Sequence, residues 1–548
     1  AVGSRDLTRG IIEDVVVRWP LLRHTLDRAG HEPLRTDRVA RRRRLERPRS
    51  GDERRDPPVV FLGLDAFDVD LLDRVGHEHL GRLMARARVT PTEAPPGLFT
   101  GAVWPSVWTG SHAGQHGYHC WKQIRPGTYD FELHQVHHDG LARPPFWDRL
   151  REDGRRAVVI DAPHAPMVEG LPGAQVLEWG GHDAVTPPFS DPPELIDDVL
   201  DRHGEHPSWG NCNEHDRDAE AYGRFRDDLV RGAEARADLT LELDERIHPD
   251  LLVSVFSEPH CVGHQAWHLH DARADGHDAA VVAALGDPVR DVYAAVDRGL
   301  GRILAGLDPD SEIFVLLSHG MGTHTDPTYL VDDVLLRLDA ARRFERARRR
   351  VQAGERLVAR LGAAGRIVAP VVESMARRLH RRTFDWIHAA SPADRRWFQQ
   401  PNNEPEAGIR FNVVGREPQG IVEPEAFDDE VAWLRTQLHA LRDAEGREVV
   451  RDVLVARDRY AGPALDALPD LFVRWHRRSS MADRLVSPLV GEVHRPYAGA
   501  RTGDHHPRGL LIHAGPGVEP GVDEGPIPSE AIAARVLDAL DRASAAQV

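Results

Sequence analysis

Between Pro95 and Gly117 the chain reads PPGLFTGAVWPSVWTGSHAGQHG. A hydroxyl, Thr100, stands just before a short run with regular apolar spacing. Trp104 and Trp108 are four apart, as are Ala102 and Ser106, which predicts a short helix with one apolar face. Gly110, Gly114 and Gly117 return the chain to loop. Thr100 is therefore expected where a loop enters a helix, a position that suits an N-cap by itself.

Other residues able to hold a cation stand at or just beyond the ends of apolar runs. Asp65 follows VVFLGL, and His260 follows LLVSVFSEP, with His264 four residues on. A helical turn would put both of these rings on one face. Ser318 and His319 follow EIFVLL, and a polar stretch, GDHHPRG, carries His505 and His506. Imidazole nitrogen, carboxylate oxygen and hydroxyl oxygen are donors of the zinc type. The chain has 31 histidines, so a pair at helical spacing is weak evidence alone. His112, His116 and His119 form a comparable cluster with nothing further to support it.

The apolar runs read as buried parallel strands, each feeding a helix. RRAVVIDAP is a further strand, FWDRLREDG a short helix closed by glycine, and VRDVYAAVDRGLGRILAGL an amphipathic helix. Asp216 to Leu243 has helical spacing, while 164–207 is rich in Pro, Gly and His and reads as long loops. Alternating strands and helices predict an α/β fold with a mostly parallel sheet and helices on both faces. Ligands of such sheets collect at the carboxyl ends of the strands.

Four segments are expected. Residues 1–57 form an Arg-rich N-terminal arm, partly flexible, with an amphipathic helix over Ile11–Leu26. Residues 58–334 form the first part of the core, 335–400 a helical insertion or cap, and 401–548 the second part. Hydrophobic residues make up 41% of the 548, enough for a large core. A net charge of −17, from 70 basic and 87 acidic residues, disfavours nucleic acid as a partner. No run approaches the length of a membrane span. Three scattered cysteines and the lack of a signal-like N-terminal segment make the cytoplasm the expected compartment.

Taken in order, the motifs resemble the type I phosphodiesterase/nucleotide pyrophosphatase branch of the alkaline phosphatase superfamily. The resemblance runs from about Val59 to Val518. It rests on FLGLDAFD, on W-x-S-x-x-T-G followed by G-x-H-G, on FWDRLREDG, VFSEPHCVGH, LLSHGMG and IRFNVVGREPQGIV, and on GDHHPRGLL with its later GPG. It implies an alkaline-phosphatase-like fold and a phosphodiester, pyrophosphate or phosphomonoester substrate, nucleotide-like by family default. It also implies one or two divalent cations, zinc or alternatively manganese. Counting back nine residues from Thr109-Gly110 makes Thr100 the nucleophile.

By the same resemblance one metal is held by Asp65, the Thr100 oxygen, Ser318 and His319, and the other by His260, His264 and His505. Two positions depart from the family. His260 stands where the family usually has Asp, which keeps a ligand and makes a three-histidine set suited to zinc. Ser318 stands where the family usually has the Asp of Asp-His-Gly, which removes a carboxylate. Asp326 or His324, in GTHTDPT, are candidate substitutes. Two alternatives use the same scaffold: a sulfate-ester hydrolase or phosphoryl transferase, and a non-catalytic relative with one metal. The sulfatase pattern C-x-P-x-R is absent.

Overall fold

The computed structural model describes residues 57–545 except 73, 75–76, 99, 182–185, 210–216, 403–404 and 478–482. The expected arm, apart from Pro57, and the helix over Ile11–Leu26 lie outside these residues.

Five strands build a parallel centre: β1 (Val59–Leu64), β2 (Ala157–Ile160), β3 (Gly173–Leu177), β4 (Leu251–Phe256) and β5 (Glu312–Leu317). Their spatial order is β5-β1-β4-β2-β3, and every neighbouring pair is parallel. All six residues of β1 and of β4 are buried, as continuous apolar runs require in a sheet covered on both faces. Alternate side chains serve two cores: Val60, Leu62 and Leu64 enter one, Val59 and Phe61 the other. A later strand, Arg508–Ala514, runs antiparallel beside β5, with Arg88–Glu93 beyond it.

Register decides what the sheet can present. Leu64 of β1 pairs with Phe256 of β4 and with Leu317 of β5, so the three strands end level. Asp65 N–H then donates to the Phe256 carbonyl at 2.9 Å and Ser318 N–H to the Leu64 carbonyl at 3.3 Å.

The helices that matter are α1 (Thr100–Thr109), α2 (Ala219–Ile247), α3 (Glu258–His270) and α4 (Pro288–Gly306). Three more follow: α5 (Val331–Arg343), α6 (Glu345–Leu361) and α7 (Ala369–Ala389). Helix α5 is buried against a second sheet, four-stranded and antiparallel, made from Trp397–Gln400, Glu406–Phe411, Leu471–Trp475 and Val450–Val455. The strands after 401 thus fall in more than one sheet, so 401–548 is not simply a continuation of the parallel core. Helices α6 and α7 bury one side chain each, Val351 and Val372. No helix among the described residues is long and apolar enough to cross a membrane.

Candidate active site

Asp65 is the first residue past β1, and its surroundings are built to hold it. A Cβ on Gly63 would lie 2.6 Å from the Trp104 ring and 2.9 Å from Val255, so only glycine lets that ring cross the strand so closely. The indole N–H of Trp104 then donates to Asp65 Oδ1 at 2.7 Å. Trp104 also stacks on Trp108, with ring centroids 5.0 Å apart, as their spacing predicts, but all residues from Gly101 to Trp108 are buried, so the helix is covered all round rather than on one apolar face. The next residue, Ala66, has φ 54°, a left-handed conformation costly for a side chain with a Cβ. Its carbonyl accepts from Tyr293 Oη at 3.1 Å and its N–H donates to Ser318 Oγ at 3.3 Å, which hold the turn in place.

Ser318 links two of the expected ligands. Its hydroxyl donates to Asp65 Oδ1 at 3.2 Å and lies 3.0 Å from His319 Nδ1. A hydroxyl has one proton to give. With that proton on Asp65, the His319 Nδ1–H is the donor to Ser318, and His319 Nε2 presents a lone pair. His319 Nε2 lies 3.9 Å from Asp65 Oδ1.

His260 and His264 sit on α3, and their ring centroids are 4.5 Å apart, as their four-residue spacing predicts. The polar stretch that carries His505 is one strand of a two-stranded ribbon. Strands β6 (Gly320–Thr323) and β7 (Gly503–His506) pair antiparallel, with Met321 opposite His505. A Cβ on Gly263 would meet Met321 at 2.8 Å, so α3 and the ribbon approach closely at that glycine. His264 Nδ1 donates to the Gly503 carbonyl at 2.8 Å, which fixes its tautomer and leaves Nε2 as the donor atom for a metal.

The four rings converge. His505 lies 4.7 Å from His260, 4.5 Å from His264 and 4.5 Å from His319, centroid to centroid. One nitrogen each of His260, His319 and His505 fall within 4.8 Å of one another. His260 Nε2 and His505 Nε2 are 3.1 Å apart, close to the edge of about 3.4 Å expected between nitrogens of a tetrahedral zinc site. The donor set therefore fits a divalent cation of the zinc type. Asp504, which the sequence reasoning passed over, joins His264 and His505 in a second such group. Its place beside the paired histidines in GDHHPRG is the signal that could have found it.

Thr100 is the first residue of α1, where a loop enters the helix as expected. His324 and Asp326, weighed as stand-ins for the carboxylate missing at 318, group with Asp504 instead. Burial pushes the Asp326 carboxyl up to about 7, with Arg477 opposing and Asp504 adding to the rise.

Beneath α3 lies a buried ion network. Arg236 Nη1 donates to Asp161 Oδ2 at 2.7 Å, its Nε lies 3.4 Å from Glu258 Oε1, and Nη2 donates to the Gly180 carbonyl at 2.8 Å. His206 Nε2 lies 3.1 Å from the same Glu258 oxygen. Burial opposes ionisation of Glu258, but Arg236 and His206 outweigh it and hold the carboxyl below its usual range. Trp179 is buried beside this network and donates to the Gly204 carbonyl at 3.0 Å, so it is a core residue.

Level parallel strands in a sheet flanked by helices, with carboxylate and imidazole donors at their carboxyl ends, make an alkaline-phosphatase-like α/β fold. The profile of the family "Type I phosphodiesterase / nucleotide pyrophosphatase" matches residues 59–484, and the chain belongs to that family. His505 lies beyond the matched stretch and joins the site through the β6–β7 pairing. Among solved structures, phosphonoacetate hydrolase from Sinorhizobium meliloti 1021 in complex with phosphonoacetate is 13% identical, with 88% of this chain and 96% of that chain covered and a TM-score of 0.52. The same enzyme with phosphonoformate gives 14% identity, the same coverage of 88% and 96%, and a TM-score of 0.51. Alkaline phosphatase PafA is 12% identical, with 90% and 97% covered and a TM-score of 0.48. At these identities the likeness to phosphonoacetate hydrolase is one of fold. No curated protein matches the chain. As a member of its family the protein is a metal-dependent hydrolase of phosphoester or pyrophosphate bonds.

Proposed function

We propose that the chain hydrolyses a phosphodiester or pyrophosphate bond of a small, nucleotide-like substrate, with Thr100 as nucleophile. The Trp104–Asp65 bond carries this reading. Residues four apart share a helix face, so a tryptophan bound to Asp65 sets the start of its helix towards the β1 carboxylate and the imidazoles beside it. His260, His264, His319 and His505, with Asp65, are the residues that would hold a cation, zinc by their chemistry and manganese as the alternative. Such a cation would supply positive charge against the threonine oxygen and the phosphoryl group.

The chain's own residues do the rest. Thr100 Oγ forms a bond to phosphorus as the bond to the leaving oxygen breaks, giving phosphothreonine. Water then displaces the threonine oxygen, which regains a proton. Amides in the first turn of α1 point towards bound anionic oxygens and stabilise them. His319, His260 and His505 fall in one group, which favours a single cation within that cluster.

The test is hydrolysis of an aryl phosphodiester by the full chain with zinc or manganese added. Thr100→Ala should lose turnover to background while keeping its melting temperature. Acid quenching of the wild type should trap phosphate on the peptide containing Thr100. Unchanged turnover in Thr100→Ala would remove Thr100 from the mechanism.

A further inference from the structure

Beside the histidine cluster two more donors meet Asp504. His324 and Asp326 follow β6, and Asp504 stands on β7. One donor atom from each lies within 4.8 Å of the other two, and all three side chains are buried. His324 Nε2 is 3.6 Å from Asp504 Oδ2. Asp326 is 3% exposed, and its Oδ2 has no hydrogen-bond partner.

His324 Nδ1 lies 3.4 Å from the Arg501 carbonyl. A carbonyl only accepts, so in the neutral ring Nδ1 carries the proton and Nε2 turns a lone pair towards the Asp504 carboxylate. Arg477 is the nearby guanidinium, and its Nη2 donates to the backbone carbonyls of Asp504 at 3.3 Å and His505 at 2.6 Å. Two carboxyl groups and an imidazole thus turn one donor atom each into one buried space, the arrangement that a bound cation would join.

We infer that His324, Asp326 and Asp504 form a second divalent-cation site, separate from the site drawn from the family's ligand positions and joined to it through Asp504. Asp504 belongs to both groups, because it also meets His264 and His505. One imidazole with two carboxylates suits manganese, ferrous iron or zinc, and is harder than the all-imidazole cluster. The cation here neutralises the buried carboxylates and holds the ribbon that carries His505. The site brings together two buried carboxyl groups, Asp326 just past β6 and Asp504 on β7, in a chain that lacks a carboxylate at 318. This inference does not depend on Thr100 being the nucleophile.

The test counts bound Mn2+ on the metal-free full chain from the loss of the free-ion EPR signal. Asp326→Asn and His324→Gln should each bind one equivalent fewer than the wild type. Mn2+ should raise the melting temperature of the wild type more than that of either variant. Asn at 326 and Gln at 324 nearly keep the original volumes, and either variant alone suffices for the count if the other fails to fold. Equal Mn2+ counts in the wild type and both variants would overturn the site. If the count falls in the two variants while Thr100→Ala keeps its turnover, the second site stands and the threonine mechanism does not.

Discussion

The indole N–H of Trp104 donates to Asp65 Oδ1 at 2.7 Å, across a gap that only a glycine at position 63 leaves open. The bond ties the first helix turn after Thr100 to the end of the central strand. Partners of this kind commonly change metal affinity or activity by about 10–100-fold. Trp104→Phe keeps the aromatic packing on Trp108 and loses only the donor. Its melting temperature should shift by no more than a few degrees, while kcat/KM for an aryl phosphodiester falls by about 10–100-fold. Wild-type kinetics in this variant would show that the bond positions nothing.

Ser318 gives a second prediction. Its hydroxyl joins Asp65 to His319, at 3.2 and 3.0 Å. Ser318→Asp would replace a donor to Asp65 with a second carboxylate. Without metal the two charges repel, and the variant should melt below the wild type. With zinc the order should reverse, and zinc affinity should rise by about 10-fold or more. Ser318→Ala removes the link altogether and should weaken zinc binding. Calorimetric zinc titrations of the three proteins check this, and equal affinity in all three would show that position 318 is a bystander.

The parts of the site that were legible in the sequence are those set by local periodicity. Asp65 and Ser318 could be placed because apolar runs end at or next to them, and the strands do end level. His260 and His264 could be paired because four residues make about one helical turn. The gathering of His505 with them depends on the antiparallel β6–β7 pairing, a contact between segments 180 or more residues apart along the chain. No period encodes such a contact, and only the resemblance to a family put His505 in the set. Asp504 stands beside His505 in GDHHPRG, and only that neighbourhood pointed to it. The second sheet was missed because alternation marks a strand without naming its neighbours.

A third prediction concerns acid stability. His116 accepts from Tyr118 N–H at Nδ1, 3.2 Å away, and faces Ser106 Oγ at 3.1 Å through Nε2, so the neutral ring satisfies both partners. Burial, with His112 and His119 adding to it, lowers its pKa to about 3. In the unfolded chain the ring titrates near 6.5. Between these values the unfolded state binds a proton that the folded state refuses. Stability from this residue is therefore full above pH 6.5 and is lost as pH falls towards 3. The slope approaches about 1.4 kcal/mol per pH unit for one proton. His116→Gln should flatten urea-midpoint curves in that window by up to this amount. Parallel curves for the two proteins would refute the assignment.

The last prediction concerns the network under α3. Arg236 is fully buried and serves Asp161, Glu258 and the Gly180 carbonyl together. Glu258 stands two residues before His260, so the network anchors the helix turn that carries the first of the clustered imidazoles. Arg236→Met fits the volume but leaves two buried carboxylates without their cation. Breaking a buried pair in this way costs about 3–5 kcal/mol. The double variant Arg236→Met with Glu258→Gln should recover part of that loss, because one stranded charge is gone. It should not recover zinc affinity to the same extent if Glu258 also sets the start of α3. Urea unfolding and zinc titration on the same samples separate the two effects. If Arg236→Met unfolds at the wild-type midpoint, the network contributes no net stability and α3 is held by its apolar face alone.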